Sequence, residues 1–278
     1  VSAPLEVDTI GGRQPLDVFP AASGSEGGRA TVAVLPALGI AGSYYAGFAR
    51  ALAARGLNVV VSDLPGHGAS PARPRRGVGW SYRELVQEHL PAVHAAARAR
   101  WPDAPFYWVG HSLGGQLALL HAGAGSEVDG VALVASGTAF YRAWPLPRAA
   151  WLLFATQACG LLARGLGTFP GHRLGFGGHE AGRLIADWAR LGRTGRYAFR
   201  DLDGEALLAR WRGPTLAVPL GGDVFAPRPA MAHPLSKTRA TVTWAPWDDP
   251  AGPLDHNRWP RTPEPAAERV ATWIAGLV

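Results

Sequence analysis

"WVGHSLGGQLALLHAG" occupies residues 108–123, and its reading decides the fold. Within it, Gly110-His111-Ser112-Leu113-Gly114 fits G-x-S-x-G, a pattern that seats a serine on a sharp strand-to-helix turn. The pattern is short, so its flanks must carry the reading. Upstream, "PFYWVG" (residues 105–110) is aromatic and β-branched and reads as a strand. Downstream, Leu113, Gln116, Leu117 and Leu120 recur at helical spacing. Gly114 and Gly115 let the first helical turn lie close on the strand, where side chains would collide. Strand, turn and helix are therefore all present, and Ser112 stands between them.

Strands and helices alternate on either side of this turn. "LEVDTIG" and "PLDVFP" read as two short strands joined by Gly11-Gly12, and "ASGSEGGRA" reads as a loop. "TVAVLPA" (residues 31–37) is a buried strand and "SYYAGFARALAARG" a helix stopped by Gly56. "LNVVVSDLPGHGAS" is a strand that runs into a Gly-rich turn, and residues 81–100 form a long helix. "VDGVALVAS" follows the Ser112 helix as another strand; "PTLAVPLGGD" and "TRATVTWAP" are strands and "PEPAAERVATWIAGLV" is the final helix. This rhythm predicts an α/β fold, a mostly parallel twisted sheet with helices on both faces. It breaks over residues 137–210, which are helical, aromatic and glycine-rich in the middle. We therefore expect an α/β core from residues 1–136 and 211–278, with 137–210 inserted as a mostly helical cap over the carboxyl ends of the strands. Ligands bind at that edge of open α/β sheets.

Composition narrows the class. The chain has 278 residues, 47% hydrophobic and 17% charged, with material for a sizeable core. The most apolar run, "AAWLLFATQACGLL" (residues 149–162), contains Gln157 and reads as too short for a membrane span, so no transmembrane segment is expected. Cys159 is the only cysteine, which excludes an internal disulfide and fits a reducing, cytoplasmic setting. No charged segment followed by an apolar stretch opens the chain, so any export signal is expected to be absent or removed. Net charge is +6, but no basic helix, zinc spacing or aromatic RNA-binding signature accompanies it, so no nucleic-acid partner is expected. Nothing implies a metal or an organic cofactor.

Four segments together carry a resemblance: "LPALGIAGSYYAGFARALAARG", "VVSDLPGHGAS", "VGHSLGGQ" and "PLGGDVFAP". The chain resembles the α/β-hydrolase fold family in its serine-hydrolase branch, over nearly its whole length. The pattern is similar to a bacterial subgroup of predicted hydrolases in which A-L-G replaces the more usual His-Gly. The resemblance implies a triad in the order Ser, acid, His. It places the nucleophile at Ser112, the acid at Asp223 at the end of "TLAVPLGGD", and the base at His256 in "PLDHNRWP". The chemistry needs all three. A hydroxyl is a weak nucleophile, an imidazole must take its proton, and a carboxylate must fix the imidazole tautomer. The family also implies two backbone N–H donors for an oxyanion, from Leu113 and, by aligning "PALG", from Leu38. His233 is the runner-up base; His67 and His111 read as local structural residues.

Within the insertion, Phe140, Tyr141, Trp144 and Trp188 are the candidates for lining a substrate pocket, and Cys159 reads as core filler. The segment holds ten Arg against five Asp or Glu, which makes it the seat of most of the positive charge. A solvated cap surface, attraction of an anionic substrate and docking of an acidic carrier protein all fit that excess. The expected activity is cleavage of a carboxylic ester or related acyl bond in an apolar small molecule, through an acyl-enzyme. An acyltransferase or thioesterase with the same triad, C–C bond hydrolysis, and a cofactor-free cyclase or binding protein with an idle or repurposed triad are the alternatives.

Overall fold

The computed structural model describes residues 5–22 and 28–278. Seven strands form the main sheet: β1 (Asp17–Phe19), β2 (Thr31–Leu35), β3 (Asn58–Val61), β4 (Phe106–His111), β5 (Gly130–Val134), β6 (Pro214–Val218) and β7 (Thr241–Trp244). Their spatial order is β7-β6-β5-β4-β2-β3-β1. All neighbours are parallel except the edge strand β1, which runs antiparallel to β3 with Asp17 opposite Val61. Every residue of β2, β3, β4 and β5 is buried, because helices cover both faces. That is why these strands read as unbroken apolar runs rather than alternating ones.

The helices are α1 (Ala46–Ala53), α2 (Leu90–Arg100), α3 (Leu113–Ala122), α4 (Arg148–Leu166), α5 (Gly182–Thr194), α6 (Gly204–Arg210), α7 (Arg228–Leu235) and α8 (Glu264–Ala275). α1 packs with α8, and α3 packs with α2 and α6. The helix expected over 81–100 is present but not uniform. Ser81 caps its start in a reciprocal box with Glu84, a π-helical turn covers Leu85–His89, and α2 completes it.

One local expectation needs correction. "PLDVFP" does not form one strand: Gly12–Pro15 pairs with Glu6–Thr9 in a separate hairpin, and Asp17–Phe19 turns away to join the main sheet. The loop expected at residues 22–30 lies largely outside the described residues.

Residues between β5 and β6 form α4, α5 and α6 with a one-turn helix, Gly171–Leu174, and two short antiparallel pairs. α4 and α5 touch closely. A Cβ on Gly160 would come within 2.6 Å of Ala189, and one on Gly192 within 2.9 Å of Thr156. α4 is 19 residues long, beyond the run at 149–162 read from the sequence, and by length and composition it is sufficient to cross a membrane. The expectation concerned an uninterrupted apolar run, and that run still lies between Arg148 and Arg164.

Candidate active site

Ser112 sits where β4, a central strand, ends and α3 begins, with φ 51° and ψ −116°. A non-glycine residue with positive φ is strained, and such strain persists only when the surroundings enforce it. Three glycines do so here. A Cβ on Gly110 would lie 2.3 Å from Gly115, one on Gly114 2.3 Å from the Leu35 carbonyl oxygen, and one on Gly115 2.3 Å from Ser136 Oγ. α3 therefore packs directly on the ends of β2, β4 and β5. Ser136 Oγ also donates to the Ser112 carbonyl at 2.6 Å, which pins the turn.

Asp223 and His256 come from the loops that follow β6 and β7, at the same end of the sheet. His256 Nδ1 donates to Asp223 Oδ2 at 2.7 Å, and the Asp223 side chain is fully buried. The other carboxylate oxygen, Oδ1, accepts the N–H groups of Phe225 at 2.7 Å and Ala226 at 3.2 Å. These three bonds fix the carboxylate plane and aim the imidazole. Ser112 and His256 line one cavity, yet among the described residues no hydrogen bond joins Ser112 Oγ to His256. Such bonds are commonly long before a substrate is bound. The other histidines lie elsewhere. His233 stacks near Phe140 and Tyr197, and His67 Nε2 donates to Glu180 Oε2 at 3.1 Å.

Leu38 lies in the turn after β2 and Leu113 is the first residue of α3; both line the cavity. The Leu113 N–H is an unpaired first-turn helix donor, and the Leu38 N–H has no hydrogen-bond partner among the described residues. The loop that carries Leu38 is braced from below. Ala37 N–H donates to Tyr45 Oη at 3.0 Å, and the Tyr45 hydroxyl donates to His111 Nδ1 at 2.7 Å. His111 is buried, and burial holds its pKa well below the usual histidine range, with the neighbouring His256 adding to the effect. The ring is therefore neutral and able to accept. From above, Gly39 presses on Gly177 and Gly178, the bend whose backbone N–H at Gly178 donates to Glu180 Oε1.

The cavity holds about 520 Å³. Trp144, Leu152, Phe169, Ile185 and Trp188 give it apolar walls, while Gln116 and Tyr82 form a polar corner. There Tyr82 Oη donates to Gln116 Oε1 at 2.9 Å, and Gln116 Nε2 donates to the Gly137 carbonyl at 2.7 Å. Trp144 and Trp188 thus stand where the sequence put them. Phe140 and Tyr141 do not: Phe140 packs on Gly195 and His233, and Tyr141 packs beside Trp144 away from the cavity. Cys159, expected in the core, lines the cavity, and burial raises its thiol pKa. Arg148 is the one guanidinium on the wall, and all ten arginines of 137–210 are exposed. The cavity wall includes no Asp or Glu among the described residues. Nor, among them, does any group of three His, Cys, Asp or Glu stand together in a way that could hold a metal ion.

A family model described as serine aminopeptidase, S33, matches residues 27–180, more than half of the chain. The chain belongs to that hydrolase family. No curated protein sequence matches this S33 hydrolase significantly. Among solved structures it is similar to a soluble variant of monoglyceride lipase from Saccharomyces cerevisiae, at 13% identity and TM-score 0.71, over 100% of this chain and 97% of the other. It is also similar to a thermostable carboxyl esterase from Bacillus coagulans, at 16% identity and TM-score 0.70, covering 99% of each. A monoacylglycerol lipase from Paleococcus ferrophilus matches at 16% identity and TM-score 0.64, over 95% of this chain and 98% of the other. At these identities the likeness is one of fold, the α/β-hydrolase fold.

Three contributors to the site escaped the sequence reading: Tyr45, Tyr82 and Gln116. Gln116 had a signal, since it is the one polar side chain in the first two turns of an otherwise apolar, fully buried helix.

Proposed function

We propose that the protein is a serine hydrolase that cleaves a carboxylic ester or related acyl bond of an apolar substrate. The observation that carries this reading is the shared cavity. Ser112 on its strained turn, His256, Leu38 and Leu113 all line one largely apolar chamber, with Asp223 bonded to His256 behind it.

In this reading Ser112 Oγ attacks the acyl carbon as His256 Nε2 takes its proton. Asp223 holds Nδ1–H and offsets the imidazolium charge. The oxyanion rests on Leu38 N–H and Leu113 N–H, donors that need no reorganisation because their loops are already braced. His256 then gives the proton to the departing alkoxide, which leaves as the alcohol. Water repeats the sequence on the acyl-enzyme and releases the acid.

Residues 137–210 act as the lid, with Trp144 and Trp188 against the acyl chain. An ester fits better than a peptide N-terminus. An α-ammonium group needs a counter-charge, and the described wall offers none while carrying Arg148. The lipase and esterase folds among the similar structures agree with this choice.

The test is a series of p-nitrophenyl esters of rising acyl length. kcat/KM should climb about fourfold per methylene, from about 0.8 kcal/mol each, until the chamber is full. Ser112→Ala should remove the activity. A flat response to length, or activity that survives Ser112→Ala, overturns the reading.

A further inference from the structure

α4 is amphipathic the wrong way round for a helix facing water. Its packed side is small: Ala149, Thr156, Gly160 and Ala163. Its outer side carries Trp151, Phe154 and Leu161, which are 63%, 74% and 68% exposed. Pro147, Trp151, Phe154, Ala158 and Leu161 fall at alternating steps of four and three, so they make one stripe along the helix. No charged residue occurs from 149 to 163. A surface helix ordinarily turns its large apolar residues inward. Leu146, Leu174 and Phe225 are also exposed.

We propose that this face docks on an anionic lipid–water interface and presents the mouth of the Ser112 cavity to it. Charge complementarity selects that occupant. Residues 137–179 contain no Asp or Glu, but they contain Arg142, Arg148, Arg164 and Arg173, all exposed. An apolar stripe flanked by arginines matches the layered chemistry of apolar chains beneath anionic headgroups.

Continuity with the cavity points the same way. Trp151, Leu174 and Phe225 are exposed and also line the cavity that holds Ser112. A protein partner or a second copy seated there would close the mouth, whereas a lipid layer opens it to apolar molecules.

The helix lies on the surface and does not cross it. Its inner side is locked to α5 through Gly160 on Ala189 and Gly192 on Thr156, and lifting it away would uncover Phe169 and Ile185. Docking does not depend on hydrolysis; only the delivery of an ester to Ser112 rests on the function proposed above.

The experiment is co-sedimentation of the full chain with sucrose-loaded vesicles of phosphatidylglycerol, and in parallel of phosphatidylcholine. The protein should sediment with phosphatidylglycerol, more weakly with phosphatidylcholine, and less in high salt. Phe154→Ser with Leu161→Ser should weaken binding by about tenfold or more, since two large apolar side chains no longer enter the interface. Arg142→Gln with Arg164→Gln should weaken it on phosphatidylglycerol alone. None of these four residues lines the cavity, so turnover of a soluble short-chain ester should be unchanged and reports an intact fold. Ser112→Ala should bind vesicles like the unaltered protein, so failure of the hydrolase reading leaves this result standing. Three results each overturn the proposal: no vesicle binding, binding indifferent to both double variants, or a dimer that Phe154→Ser with Leu161→Ser turns into a monomer.

Discussion

Asp223→Asn changes one atom group in a fully buried carboxylate, and the structure dictates how the new amide must point. Oδ1 accepts two backbone N–H groups, from Phe225 at 2.7 Å and Ala226 at 3.2 Å. The asparagine amide oxygen has to remain there. Turning its NH2 toward those donors would set donor against donor and leave buried groups unpaired, at about 1–3 kcal/mol each. The NH2 therefore faces His256 Nδ1, which lies 2.7 Å from the other oxygen. Nδ1 must then accept, the ring proton moves to Nε2, and Nε2 can no longer take a proton from Ser112. The wrong tautomer costs about four decades in kcat, or about 5.4 kcal/mol of barrier. KM should hold, because Asp223 does not line the cavity. Steady-state turnover of a soluble short-chain ester, with thermal melting as the fold control, measures both. A loss of less than about tenfold in a folded Asp223→Asn protein would refute the assignment of Asp223 as the group that sets the His256 tautomer.

Tyr45→Phe removes the hydroxyl that joins Ala37 N–H to His111. Stability should fall by about 1–3 kcal/mol for the unpaired buried groups, and kcat should fall with KM nearly constant; an unchanged kcat would detach Tyr45 from the Leu38 loop. Arg148→Gln should reduce the turnover of carboxylated esters relative to matched neutral ones, with the difference shrinking in high salt. Burial pushes the pKa of His89 down to about 4 and that of His121 down to about 3, below the ordinary value of 6.5. The unfolded chain then binds more protons than the folded one as pH drops below 6.5. Stability is full above that pH and is lost as pH falls, by about 1.4 kcal/mol per unit for each histidine, so melting temperatures from pH 7 to pH 5 should decline. A flat profile would contradict neutral burial of both rings.

Much of the sheet and of the Ser112 turn was legible because its requirements are local. Gly110, Gly114 and Gly115 are needed by contacts within a few residues of the serine, or with the strands beside it, and an apolar run preceding them already implies a central strand. Asp223 and His256 were named through the family resemblance, and the structure sets both in loops after strands that end at the same sheet edge. Tyr45 could not be named, since its partner His111 is far away in sequence and the bond exists only once α1 and β4 are both in place. The outer face of α4 was not legible for a related reason. Periodicity separates two faces of a helix but does not say which one is covered, and the small residues at 149, 156, 160 and 163 turned out to be the packed side. Phe140 and Tyr141 were drawn from residues 137–210 by composition alone, and the turn at Tyr141–Ala143 directs them toward α7 and Gly195 instead of the chamber.

The most direct measurement is labelling of the intact protein with a fluorophosphonate, followed by peptide mass spectrometry. A nucleophilic Ser112 predicts one phosphonyl adduct, on the peptide that contains Gly110-His111-Ser112-Leu113-Gly114, and no adduct in a folded Ser112→Ala protein. An adduct on another residue, or labelling that persists after Ser112→Ala, would contradict it.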